Sequence, residues 1–255
     1  MDPINQKILA IDVGNTNVVV GVMNGYEVMH SYRIPTTFEA LNTMDKHIEL
    51  TQIRDINRVV GASVVPHRNL IIENWMNQKL KLPVQWINAQ MNLGFKILYQ
   101  QPQQVGADRI ANTLAVIHRY TVPAIVVDFG TAVTFDLISA DKEYLGGYIL
   151  PGVGLAAKSL KDNTALLPDI EVEARSFAIG QDTASSMQLG IFWGWVDMIQ
   201  GLLKRISQQV FFDKKVFKIA TGGHSQLFKD YLSDINVFDI DLTLKGLFAA
   251  SKILP

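Results

Sequence analysis

The chain has no cysteine among its 255 residues, and that single absence removes disulfides, thiolate nucleophiles and zinc-thiolate centres together. A reducing compartment, the cytoplasm, is therefore the expected location. The five histidines are scattered without metal-ligand spacing and read as structural or surface residues. Excess charge of either sign is missing too: 23 Lys and Arg stand against 24 Asp and Glu, with no basic cluster beyond pairs such as Lys214 and Lys215. No nucleic-acid surface is expected from such a balance. Long apolar runs are also absent. The most hydrophobic stretch, Gly190 to Leu203, is interrupted by Asp197 and Gln200 and falls short of the roughly 18 apolar residues a membrane span needs. Met1 to Lys7 lacks the basic-then-apolar order of a secretory signal. Finally, no G-x-x-x-x-G-K-[ST] phosphate loop occurs anywhere.

What is present begins at Ile8. Ile8 to Ile11 and Val18 to Val22 are short, uncharged and rich in Val and Ile, as strands buried on both faces are. Between them lie Asp12, Gly14, Asn15, Thr16 and Asn17. Gly14 permits a positive φ and a close approach to the backbone amides. Thr16 and the two Asn side chains offer donors suited to phosphate oxygens, and Asp12 offers an acceptor for a hydrated cation. Asp, Gly and Asn also dominate ordinary hairpin turns for conformational reasons, so one copy leaves both readings open. The same pattern then recurs nearly half the chain later: Ala124 to Ile138 repeats the apolar run with Asp128, Gly130 and Thr131. Two similar halves, each opening on a phosphate-binding hairpin and facing each other across a cleft, are the expectation.

The rest of the chain alternates strands with helices, which points to α/β sheets. A third strand is expected over Tyr26 to Ile34, a helix over Thr37 to Leu50, and a strand over Arg58 to Ser63. A helix over Pro66 to Leu80 should turn Leu70, Ile71, Trp75 and Leu80 inward, and Val84 to Ile87 forms the next strand. Asn92 to Gln104 reads as a Gln-rich loop across the cleft mouth, with Tyr99 its large aromatic. Val105 opens a helix running to about Tyr120, in which Asp108 near the start suits both the helix dipole and proton acceptance from a substrate hydroxyl. Pro123 breaks that helix and sets the division into residues 1–120 and 121–255. Thr183 stands at the head of a long helix to Gln209 whose apolar residues occupy more than one face, as deep burial or a subunit contact requires. Val216 to Ala220 is a strand, Gln226 to Leu232 and Leu242 to Ile253 are helices. Gly152 to Ala157 mimics a dinucleotide fingerprint but sits mid-chain after Pro151, where that motif does not belong.

A D-x-G-[NT] hairpin at the head of each half resembles the actin, sugar kinase and heat-shock chaperone ATPase superfamily. That resemblance implies two ribonuclease H-like halves with ATP held between paired loops. More closely, Y-x-x-P-x-x-V-G-A-D-R-I-A-N from Tyr99 to Asn112, set between D-V-G-N-T-N and D-F-G-T-A, resembles the type III pantothenate kinase family. Gly146 to Gly152, Thr164 to Pro168, Gly180 to Thr183 and Thr221-Gly222-Gly223 extend the likeness over nearly the whole chain. The resemblance implies phosphorylation of pantothenate by ATP, the first step of coenzyme A synthesis, by a homodimer. In it Asp12, Val13, Gly14, Asn15, Thr16, Asn17, Val18, Val19 and Thr131 hold the phosphates, with Gly222 and Gly223 near the adenine. Asp12 anchors magnesium through water, and Asp128 holds a monovalent cation, potassium or ammonium, or else shares the magnesium. Tyr99, Gly106, Ala107, Asp108, Arg109 and Thr183 surround pantothenate, with Asp108 as general base. Two rival readings share the fold: a non-catalytic regulatory relative, and a kinase of another small hydroxylated metabolite. One departure from the family is Gln101 before Pro102, where relatives more often carry a shorter polar residue.

Overall fold

The computed structural model describes residues 7–53, 55–212 and 214–255. The chain divides into two compact units, one taking in the sequence up to Thr121 together with Lys142–Leu145 and Asp241–Pro255, the other Val122–Asp141 and Gly146–Ile240.

In the first unit, β1 (Lys7–Val13), β2 (Asn17–Asn24), β3 (Glu27–Pro35), a short α1 (Phe38–Asn42), β4 (Arg58–Ser63), α2 (Pro66–Leu80), β5 (Val84–Trp86) and α3 (Ala107–Arg119) follow in order. The sheet runs β3-β2-β1-β4-β5, with β1 antiparallel to β2 and parallel to β4. The central strand β1 is apolar at almost every position because both its faces are covered. Ile8 and Ala10 enter a core shared with α3, whereas Leu9, Ile11 and Val13 enter the opposite core, shared with Ile72, Trp75 and Met76 of α2. The alternation of strand side chains thus sends one strand into two cores.

Two expectations change here. The helix foreseen over Thr37 to Leu50 is only α1, capped by the Thr37 hydroxyl, followed by a 3-10 turn over Met44–Lys46. Thr43 explains the break, since its hydroxyl donates back to the Glu39 and Ala40 carbonyls, a local bond that competes with continuing the helix. In α2 the buried stripe is Ile72, Trp75 and Met76, and Leu70 is 65% exposed. Trp75 is buried as expected, but Ile72 and Met76 rather than Leu70 complete the face that packing covers.

In the second unit, β6 (Ala124–Phe129), β7 (Ala132–Ile138), β8 (Tyr144–Pro151, whose first two residues belong to the first unit), β9 (Phe217–Thr221) and β10 (Val237–Phe238) form a sheet ordered β10-β9-β6-β7-β8, with α4 (Val153–Asp162) and α5 (Thr183–Gln209) between β8 and β9 in sequence. β6 is antiparallel to β7 and parallel to β9. This is the topology of the first sheet, strand for strand, so the repeated hairpin motif marks a repeated architecture. The helix expected over Gln226 to Leu232 is a 3-10 segment, Ser225–Phe228.

α5 buries Met187, Ile191, Phe192, Val196, Ile199, Leu203 and Ile206 along one stripe. Its cap is Asp182, whose carboxylate accepts from the Ser185 amide at 2.8 Å in a reciprocal capping box. These bonds hold the Asp182 carboxyl below its ordinary pKa. A depressed folded-state pKa adds stability above the unfolded value, and that stability is lost as pH falls through the folded one. Asp182→Ala should accordingly lower the thermal midpoint at pH 7, and the difference from wild type should shrink below about pH 3.9; a gap that stays constant with pH would contradict the cap.

α6 (Leu242–Ser251) belongs with the first unit and not with the residues that precede it, because Leu244, Leu247 and Phe248 complete the core of Ile8, Ala10 and α3.

Candidate active site

The first hairpin is held by its neighbours more than by its own turn. Val13, the last residue of β1, accepts a hydrogen bond at its carbonyl from the Val64 amide at 3.0 Å, and the Gly14 amide donates to Asn17 O at 3.0 Å. Thr36, buried just beyond β3, donates its hydroxyl to Gly14 O at 2.8 Å and its amide to Thr16 O at 2.9 Å. Thr36 escaped the sequence reading, because only strand register brings it to the turn. Asp12 and Val19 face each other across the ladder, half-buried; Asn15 and Thr16 are exposed at the tip, Asn17 is half-buried at the start of β2, and Val18 is in the core. Gly14 is not among the residues of positive φ. Its need for glycine is proximity instead: a Cβ there would lie 3.1 Å from Asn17 O.

α3 starts at the same edge of the first unit. A Cβ on Gly106, the residue capping α3, would lie 3.4 Å from a Val64 methyl, so Val64 touches both the base of the hairpin and the head of the helix. Asp108 lies in the first turn, half-buried, its Oδ1 accepting from the Arg109 amide at 2.8 Å. The same carboxylate folds back over the Cα of Gly106, so a side chain at 106 would displace it. Desolvation raises the Asp108 pKa, against the lowering effects of the Arg109 amide and guanidinium. A carboxylate that is costly to keep ionised takes up a proton readily.

Ala107 is buried beside it, and Arg109 is only 7% exposed. The Arg109 guanidinium lies 5.7 Å from the ring centroid of Tyr144, inside the first unit. Tyr99 is half-buried against the same core, in a segment tied down where Leu98 and Lys96 exchange backbone hydrogen bonds with Tyr144.

In the second unit Asp128, the end of β6, is approached by two loops. The Cα of Gly222, at φ +89°, packs against the Asp128 carboxylate and the Phe129 backbone. Gly152, at the head of α4, packs against the carbonyls of Gly130 and Thr131 and donates its amide to Thr131 O at 3.0 Å. Asp128, Gly130, Thr131, Gly152 and Gly222 are therefore gathered in one place, with Gly223 and Thr131 exposed. Thr183 is exposed as the first residue of α5; since Asp182 takes the cap, capping does not account for Thr183.

Among the described residues no group of three or more His, Cys, Asp or Glu is placed to hold a metal ion. Single half-buried carboxylates, Asp12 in one unit and Asp128 in the other, instead suit cations whose remaining ligands are water and phosphate oxygens.

A doubled sheet, each copy opened by an acidic hairpin, is the fold shared by actin-like and sugar kinase proteins. A candidate 2-dehydro-3-deoxygalactonokinase from Sinorhizobium meliloti superimposes with a TM-score of 0.64 at 13% identity, covering 97% of this chain and 96% of that one. An archaeal actin homolog, Ta0583, does so with a TM-score of 0.55 at 14% identity, covering 97% and 99%. Within that class, residues 8–205 match the type III pantothenate kinase profile. The type III pantothenate kinase of Brevibacillus brevis is 37% identical over 249 residues, 94% of this chain and 96% of its own. The chain belongs to the type III pantothenate kinase family.

Proposed function

We propose that this protein transfers the γ-phosphoryl group of ATP to the primary hydroxyl of pantothenate, giving 4'-phosphopantothenate for coenzyme A synthesis. The observation that carries the proposal is the desolvated Asp108 carboxylate at the head of α3, on the same edge of the first unit as the Asp12 hairpin. Phosphoryl transfer asks a protein for positioning and charge stabilisation more than for covalent chemistry. Asp108 accepts the proton of the pantothenate hydroxyl as its oxygen attacks the γ phosphorus and ADP departs. The amides and side chains of Asp12 to Val19, with Thr131, hold the β and γ phosphates, and Gly222 and Gly223 lie by the adenine. When bound, magnesium at Asp12 and potassium or ammonium at Asp128 offset phosphate charge. Tyr99, Gly106, Ala107 and Thr183 surround pantothenate. Arg109, packed on Tyr144, joins them and binds polar oxygens of the substrate.

The enzyme is proposed to act in the cytoplasm, without nucleic-acid or membrane partners; no helix of the described residues is long and apolar enough to cross a membrane. A homodimer is proposed as well, supported by the exposed Leu166, Phe177 and Ile179 of the second unit.

The test is ADP release that depends on pantothenate, with the phosphorylated product confirmed by mass. In the same assay Asp12→Asn should raise the magnesium concentration for half-maximal rate about tenfold or more, the size of effect expected when a metal's outer contacts are lost. ADP release with sugars or acetate but not with pantothenate would overturn the assignment.

A further inference from the structure

We propose that Thr243, on α6, is a positioning residue that sets the place of Asp108 by way of α3; this rests on the reading of Asp108 as the base. Asp108 and Asn112 stand one helical turn apart on the same side of α3. Asn112 is wholly buried, and its side-chain oxygen accepts a hydrogen bond from the Thr243 hydroxyl at 2.8 Å. One turn further along α6, Gly246 packs directly on α3. A Cβ at 246 would overlap the Ala111 carbonyl oxygen and lie 2.9 Å from Ala111 Cα. The two helices are thus closer than any larger residue would permit, with Gly246 fixing their separation and the Thr243 bond fixing which part of α3 faces α6.

α6 is itself well anchored. Arg58 of β4 donates to the carbonyls of Ser251 and Leu254, and Leu247 and Phe248 are buried in the core with Ile110 and Leu114. It also touches the strand that leaves the phosphate hairpin: a Cβ on Gly21 of β2 would lie 2.7 Å from the nearer Leu244 methyl. One helix therefore references both the hairpin, through β2, and the base, through α3. That makes α6 a brace between two parts of the site, and Thr243 a polar handle on the helix that carries Asp108. Misplacing a reacting group by about 1 Å can cost on the order of 10²-fold in rate, so a bond remote from the chemistry has kinetic leverage.

The experiment compares Thr243→Val and Thr243→Ser, each in the wild-type protein and in Asp108→Asn. Thr243→Val should lower kcat about tenfold or more, within that 10²-fold range, and leave KM for ATP within about twofold. Thr243→Ser, which keeps the hydroxyl, should restore kcat. In the Asp108→Asn background Thr243→Val should cost little further, because the group it places is already gone. Wild-type kcat in Thr243→Val beside a disabled Asp108→Asn enzyme would overturn the positioning role alone, as would an equal loss in both backgrounds. Near-normal turnover in Asp108→Asn would instead remove the base, and this proposal with it.

Discussion

Asp108→Asn is expected to lose on the order of 10²- to 10⁴-fold in kcat, the usual contribution of a general base, and yet to unfold at a higher temperature than wild type at neutral pH. Both halves follow from one observation, the desolvated carboxylate at the head of α3. Burial raises its pKa, so the folded state binds the proton more tightly than the unfolded chain does. Stability then falls as pH rises from the unfolded value, about 3.9, through the higher folded one, and above both the full cost is present. Asparagine is nearly isosteric and removes that cost, and its side-chain oxygen can still accept from the Arg109 amide. The gain should fade as the pH is taken down, since a protonated aspartate is no longer penalised. In the wild type, the acid limb of kcat/KM should lie above the ordinary carboxylate range for the same reason. Scanning calorimetry across pH beside steady-state rates checks both claims. An Asp108→Asn protein less stable than wild type at pH 7 would show that the carboxylate's hydrogen bonds outweigh its burial.

The largest structural effect is expected at Gly222. Alanine there would have to hold φ near +89°, which costs an L-residue about 1–2 kcal/mol. Its methyl would also press into the Asp128 carboxylate and lie 2.6 Å from the Phe129 backbone nitrogen. Backbone at the end of a central strand yields poorly, so the added cost of overpacking is about 1–3 kcal/mol. Gly222→Ala should lose about 2–5 kcal/mol in denaturant unfolding, together with most of its ATP affinity, because relief of the clash moves Asp128 or the turn beside it. Gly154→Ala is the control. A methyl there meets nothing within 4 Å, and in a helix it should leave stability unchanged or slightly raised. An unperturbed Gly222→Ala protein would mean that the turn can move away from Asp128 without consequence.

The strands were legible because their residues have little alternative. β1, β2, β4, β6 and β7 are short apolar β-branched runs, and the recurrence of Asp, Gly and Thr at the ends of β1 and β6 announces the repeated sheet. Asp108 stood out because an acidic residue follows Gly and Ala at a helix head, and the structure places its carboxylate over the cap glycine. What was not legible depended on distant partners. Leu70 and Ile72 are equally apolar, and only the packed core decides between them. Thr43 ends α1 by a bond to its own turn that any threonine can make or forgo. Thr36 reaches Gly14 only through the register of β3 on β2. Gly14 suggested a left-handed turn and is instead a case of crowding.

The placement of α6 also dictates an order of assembly. A ribosome delivers Leu242–Ser251 only after the whole of residues 146–240 has emerged. Until then the side of β1 and α3 that receives Leu244, Leu247 and Phe248 has no cover. The unit begun first is thus the one completed last, and a nascent chain halted after Ile240 should present that sticky surface to chaperones.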